Sequence, residues 1–339
     1  MTNVIRHQKV LILLALLVIL FLTIVKPKCL VCLSANNRFR TRLVELTETL
    51  LPKPHSSLLS GIIFGIKESL PKSFEENLKR TGTIHVVVAS GYNISVVSFL
   101  FTTFVSGLLV HYSRFKKFLI VQFLVLFYVA LSGFQAPILR AYIMSIFVSF
   151  GELYGRKKST IWILIVTALL MIFYKPSWAL NLSFQFSFLS TLGLILYANR
   201  IEKGFLHLLN KLDAPFMDPT RLILKDFFQT MSATLFVWPL ISFYFGRVSL
   251  LSPFVNVLVL WTVPAIMVLG GVIVAAAVFF PVISKILIWP VYLLLEYFVS
   301  VVNYFGSLRF SDVGFRVNLI FIGFYYALLL FSLTFFKEN

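Results

Sequence analysis

The chain has 339 residues, of which 59% are hydrophobic and only 13% charged, with a formal net charge of +17. Water-soluble globular domains carry about 25% charged residues, so this composition excludes a soluble globule and makes lipid the solvent. Two readings of the basic excess stand side by side: orientation of cytoplasmic loops, which by itself concentrates Lys and Arg there, and attraction of a polyanion.

Within a bilayer each backbone polar group must be satisfied inside its own element, so long apolar runs between short polar loops predict helices. The first run, Val10 to Val25, follows Arg6 and Lys9 and precedes Lys26, Pro27 and Lys28 rather than a small-residue cleavage site. Residues 1–25 therefore read as a retained anchor helix. Cys29 and Cys32 form a lone C-x-x-C without the four ligands of a structural zinc site or the βαβ context of a redox motif, which leaves a local disulfide or two idle thiols. Residues 26–83 read as an external linker. In it Leu43, Leu46 and Leu50 recur at helical spacing, and Leu58 to Ile66 is apolar but too short to span, which places part of the linker along the membrane surface.

Residues 84–336 hold the remaining apolar segments, near 84–110, 118–133, 137–151, 160–174, 180–198, 227–245, 249–275, 284–305 and 317–336. With the anchor this makes an all-α, polytopic transmembrane helical bundle of about ten spans, some of them short, broken or re-entrant. Loop charge sets its sidedness. Arg114, Lys116 and Lys117, then Arg156, Lys157 and Lys158, then Arg200, Lys203, Lys211, Arg221 and Lys225 all fall on one side if both termini are cytoplasmic. The expected location is the bacterial cytoplasmic (inner) membrane. The basic residues of the external stretch, among them Arg38, Arg40, Arg42, Lys79 and Arg80, are offset in part by Glu45, Glu48, Glu68, Glu75 and Glu76, and long loops translocate largely regardless of charge.

A charge at mid-bilayer costs about 2.5 to 3.5 kcal/mol on insertion scales, so polar residues inside apolar runs carry the information. One cluster runs from Arg80, Gly82 and His85 through Ser90, Gly91, Tyr92 and Asn93. A second, Ser132-Gly133-Phe134-Gln135-Ala136-Pro137, interrupts an apolar run and precedes Arg140 by one helical turn. Gln185 and Ser187 open a later segment, and Gly246, Pro253 and Asn256 lie where two segments meet. Such groups either bind helices to one another or line a substrate route. Arg80, His85, Ser90, Tyr92, Asn93, Arg140, Gln185, Ser187 and Asn256 are the candidate route, with Gly82, Gly91, Gly133, Pro137, Gly246 and Pro253 as candidate helix breaks.

The order of these motifs resembles a known family. Arg80-Thr81-Gly82-Thr83-x-His85 with Ser90-Gly91-x-Asn93, Gly133-Phe134 with Leu139-Arg140-Ala141, Phe184-Gln185-x-Ser187-Phe188 with Thr191-Leu192-Gly193, and Phe245-Gly246 with Leu250-Leu251-Ser252-Pro253-x-x-Asn256 are similar to the competence membrane domain of ComEC-type DNA-uptake channels. The resemblance runs from about Leu58 to Ala277. It implies a channel that passes one strand of DNA into the cytoplasm during natural transformation, with no catalytic residues, metal or cofactor. The OB-like and metallo-β-lactamase-like domains found in many such channels are expected to be lacking. The resemblance therefore implies separate partners, namely a DNA receptor, a cytoplasmic motor or helicase and a nuclease, alongside membrane lipid.

The residues themselves permit a mostly neutral lining. Amides and hydroxyls would bond phosphate and sugar, with Tyr92 or Phe184 as stacking faces. The charges inside the spans are chiefly Arg140, Lys285 and Glu296, and Glu296 is expected to pair with Lys285 or Arg140. Two rival classes remain. A secondary carrier for a small anion or lipid would use broken helices whose N-termini face the substrate. An intramembrane hydrolase pairing Ser90 with His85 is opposed by their spacing, which sets them about 140° apart on a helix.

Overall fold

The structure is a computed structural model and describes residues 37–67, 69–87, 90–155, 159–210 and 218–335. The anchor run, Cys29, Cys32, the cations Arg156 to Lys158 and Lys211 lie outside the described residues. Within the described residues the nine later apolar segments are mainly helical, and the β-structure described is a single antiparallel pair, β1 (Arg247–Ser249) with β2 (Asp312–Gly314). The protein is an all-α helical membrane protein. Among the described residues, four helical runs are long and apolar enough to cross a membrane, namely Gly91–Leu108, Ala136–Leu153, Leu182–Phe205 and Ser252–Ala277. Pro281–Leu287 with Trp289–Ser307 makes a fifth, bent by 51°. Four or five spans by this measure, against about ten expected, reflect helices that are short, such as Thr160–Tyr174, or that open on a run of cations, such as Arg114–Leu131.

The first described elements are α1 (Asn37–Leu50), α2 (His55–Phe64), α3 (Lys72–Arg80) and α4 (Ile84–Val87). The stretch Leu58 to Ile66, expected along the membrane surface, is covered by other parts of the protein. Every residue of α2 is buried, and the helix packs against the later helices Trp289–Ser307 and Ile266–Gly270. Close approach also ties it to α4: a Cβ at Gly61 would overlap Val87 Cγ1, so glycine lets α2 touch the chain at the end of α4. In lipid, where apolar burial drives no association, such close contacts are what hold helices together.

The apolar run at 84–110 is interrupted. The helix α4 ends at Val87, and α5 (Gly91–Leu108) starts again from Ser90 in an extended conformation. Next come α6 (Arg114–Leu131), capped by Ser113 Oγ accepting from the Lys116 N–H at 3.4 Å, and α7 (Ala136–Leu153), with Pro137 in its first turn. Between them Gly133 and Phe134 take φ of 84° and 50°. Glycine adopts that region at no steric cost, whereas Phe134 does not, so this turn is held by its surroundings. The helices α5, α6 and α7 pack on one another.

Then follow α8 (Thr160–Tyr174), α9 (Leu182–Gly193), continued through a π-helical turn into α10 (Asn199–Asn210), and α11 (Asp218–Phe245), which contains Pro239. Asn181 caps α9, its Oδ1 accepting from the N–H groups of Ser183 at 2.9 Å and Phe184 at 3.3 Å. After β1, the run Ser252–Ala277 comprises α12 (Ser252–Leu260), α13 (Thr262–Ala265), a π-helical turn and α14 (Gly271–Ala277). The chain closes with α15 (Pro281–Leu287), α16 (Trp289–Ser307), β2 and α17 (Leu319–Phe335). Gly82 and Gly246 sit at φ of 71° and 66°, and Pro253 lies in the first turn of α12.

Candidate functional site

The interrupted segment, α7 and α9 meet at Arg140. This side chain is 8% exposed. Its Nη1 donates to the Ser187 carbonyl at 2.7 Å, its Cζ lies 6.0 Å from the centre of the Phe188 ring, and its Nε is buried without a partner. Nη2 faces Gly91, where an added Cβ would come within 2.6 Å of it. The Ser187 carbonyl also accepts from Ser190 Oγ at 3.0 Å and Thr191 Oγ1 at 2.9 Å, so one bend of α9 gathers three donors.

Asn93, one turn into α5 and 1% exposed, ties the break to α2. Its Nδ2 donates to the Ile62 carbonyl at 3.0 Å, and its Oδ1 accepts from Ser90 Oγ at 3.1 Å. Ser90 therefore bonds its own helix side chain instead of capping α5, which has no side-chain cap. Tyr92, between them, is 45% exposed and offers a ring face. Phe184, the other stacking candidate, is buried against Phe188 with ring centres 4.3 Å apart. Its stacking role is thereby corrected, because Phe184 is committed to the platform under Arg140.

A family model described as "Competence protein" matches residues 62–339. The chain belongs to the competence protein family. A protein of Aquifex aeolicus (strain VF5), described as uncharacterized, is 31% identical over 146 residues, which is 42% of this chain; the chain spans only 34% of that relative's length. No solved structure matches.

The motifs of this competence protein fall into two groups in space. Ser90, Gly91, Tyr92, Asn93, Arg140 and Ser187 form the cluster just described. Gly82 belongs to another, where a Cβ would lie 2.6 Å from Ser252 Oγ. Ser252 Oγ in turn accepts from Asn256 Nδ2 at 3.1 Å, and Asn256 Oδ1 is buried without a partner. Gln185 joins neither group, its Nε2 donating to the nearby Ala179 carbonyl at 2.9 Å. His85 is exposed and its Nδ1 bonds the Gly82 carbonyl at 2.9 Å, so it shares no hydrogen bond with Ser90 among the described residues.

Arg80 is not a free collector of polyanions. Its Nε donates to Asp312 Oδ1 and its Nη2 to the Leu308 carbonyl, both at 3.0 Å. Arg247 bonds Glu76 and lies 3.9 Å from Asp312, which completes a two-cation, two-carboxylate network beside the β1–β2 pair. The Arg247 guanidinium holds the Glu76 carboxyl below its usual pKa range. Sequence reasoning missed this network because Asp312 lies 232 residues from Arg80, and neither position shows a local pattern that points to the other.

The expected partner of Glu296 is also corrected. Glu296 Oε2 lies 2.8 Å from His55 Nε2, and its Oε1 accepts from Ser300 Oγ at 3.1 Å. His55 opens α2, 241 positions before Glu296, so no local pattern pointed to the pair. A groove of about 430 Å³ between α5 and α13, lined by Ser95, Val96, Phe99, Leu100 and Pro264 among others, is apolar and holds none of the candidate route residues.

Proposed function

We propose that this chain passes a single strand of DNA across the bacterial cytoplasmic membrane during natural transformation. The observation that carries the reading is the convergence, in a member of the competence protein family, of three separated polar motifs on the interruption before α5. Polar groups gathered at a break within an apolar segment are characteristic of substrate routes, because irregular backbone inside a membrane is tolerated only where it is buried in protein or lines a cavity. In this reading residues 1–25 anchor the chain, 26–83 are external and 84–336 form the conduit, with both termini cytoplasmic. A separate receptor, motor and nuclease supply capture, drive and strand degradation. The route residues bind the strand weakly enough to release it, and the chain catalyses no reaction.

The test is deletion of the gene followed by tracking of labelled DNA. The expected result is DNA that reaches the cell surface and stays outside the cytoplasm, with recovery when the gene is restored. Normal entry into the cytoplasm of the deletion strain overturns the reading.

A further inference from the structure

Among the described residues, nothing balances the charge that Arg140 carries into the interior. Among the described residues no carboxylate lies within ion-pair distance of it. Its Nη1 donates to a neutral carbonyl, and its Nε is buried without a partner among the described residues.

The surroundings sharpen the imbalance. The 18-residue helix α5 begins at Gly91, directly facing Nη2. A helix N-terminus carries about half a positive charge and several N–H groups without intrahelical partners, and here no side chain caps them. Arg140 itself lies one turn inside the N-terminus of α7, where cations are again disfavoured. Arg140, a buried residue at 8% exposure, thus meets the positive ends of two helices. Desolvating such a charge without a counter-charge costs several kcal/mol. An anion held alongside, touching both the Arg140 guanidinium and the first-turn N–H groups of α5, completes the arrangement. A tetrahedral phosphate group suits it, since a guanidinium fork and helix N–H groups both bond phosphate oxygens, and the exposed Tyr92 ring in the same turn offers a face to an attached base.

We propose that Arg140 and the N-terminal turn of α5 form a binding site for one phosphodiester anion. Its assignment to the backbone of the passing DNA strand rests on the function proposed above. Gly91 is part of the site because any side chain there displaces the guanidinium from the helix end.

The experiment uses the full chain in lipid nanodiscs and fluorescein-labelled oligothymidylate, once with a natural phosphodiester backbone and once with an uncharged methylphosphonate backbone. Wild-type protein is expected to prefer the charged strand, and Arg140→Gln to weaken that binding roughly ten- to a hundredfold, the worth of a charge-assisted hydrogen-bond set. Arg140→Lys should fall between them. Gly91→Ala, which moves only the tip of a flexible side chain, should reproduce most of the loss in a protein that still folds. A second arm counts phosphatidylglycerol retained by wild type and Arg140→Gln in native mass spectrometry. Loss of a retained lipid with unchanged oligonucleotide affinity keeps the phosphodiester site and assigns it to lipid. Unchanged values in both arms for Arg140→Gln overturn the site while leaving strand passage standing. A wild type that binds neither strand, in cells whose deletion leaves DNA entry normal, overturns the proposed function instead.

Discussion

Arg80 and Arg140 are both arginines flanked by helix breaks, yet their surroundings are opposite. Arg80 sits at the edge of the bundle, 27% exposed at its side chain, and spends its donors on Asp312 and the Leu308 carbonyl. Arg140 is buried among α5, α7 and α9 and meets one carbonyl and no carboxylate. The difference separates a cation that the fold already neutralises from one that, in the site proposed above, is left for a ligand. A charge that the fold already neutralises ties elements together, whereas a charge left uncompensated inside keeps its capacity for a ligand.

The sharpest way to break this comparison is to remove Arg140. Arg140→Gln should lower DNA uptake roughly a hundredfold, the scale of a lost set of charge-assisted bonds. The thermal midpoint of the purified protein should hold or rise, because a buried, unbalanced charge has been removed. Uptake measured at matched expression beside a melting curve checks both halves, and a strongly lowered midpoint with normal uptake would make Arg140 structural after all.

Asp312→Ala should do the reverse. It leaves Arg80 without its carboxylate while Arg247 keeps Glu76, and should cost about 1 to 2 kcal/mol of stability with uptake per folded molecule unchanged. Asn93→Leu comes next, since it frees the Ile62 carbonyl and the Ser90 hydroxyl. Side-chain hydrogen bonds between membrane helices average about 0.6 kcal/mol, so the loss should be near 1 kcal/mol, read as a lowered midpoint.

The smallest effect concerns pH. The Arg247 hydrogen bond holds the Glu76 carboxyl below the ordinary carboxylate range. A carboxyl depressed in the folded state stabilises fully above its unfolded pKa and loses that stability as pH falls through the folded value. Thermal midpoints should therefore be level above about pH 5 and decline below about pH 4.5, and Glu76→Gln should flatten part of that decline. The pair is largely exposed, so the difference is expected to be a few tenths of a kcal/mol.

Much of the architecture was legible in the residues. Hydropathy alone marks the later apolar segments as helices, because lipid leaves the backbone no other way to satisfy its polar groups. The break at Ser90–Gly91 and the polar character of Arg140 and Ser187 could also be read locally. Partners were not legible. The residues Asn93 and Ile62, Arg140 and Ser187, His55 and Glu296, and Arg80 and Asp312 are separated by 31, 47, 241 and 232 positions, and no period in the sequence connects them.

Composition and pattern by themselves determined that the chain is helical, membrane-borne and interrupted by polar motifs, since those properties follow from each segment's own transfer into lipid. Tertiary structure alone decided that α2 is buried, that Arg80 and Glu296 are already paired, and that Arg140 is not. The reason is physical: whether a charge is neutralised depends on what other helices bring within a few ångströms of it, and that is a property of packing, set where residues distant in sequence meet.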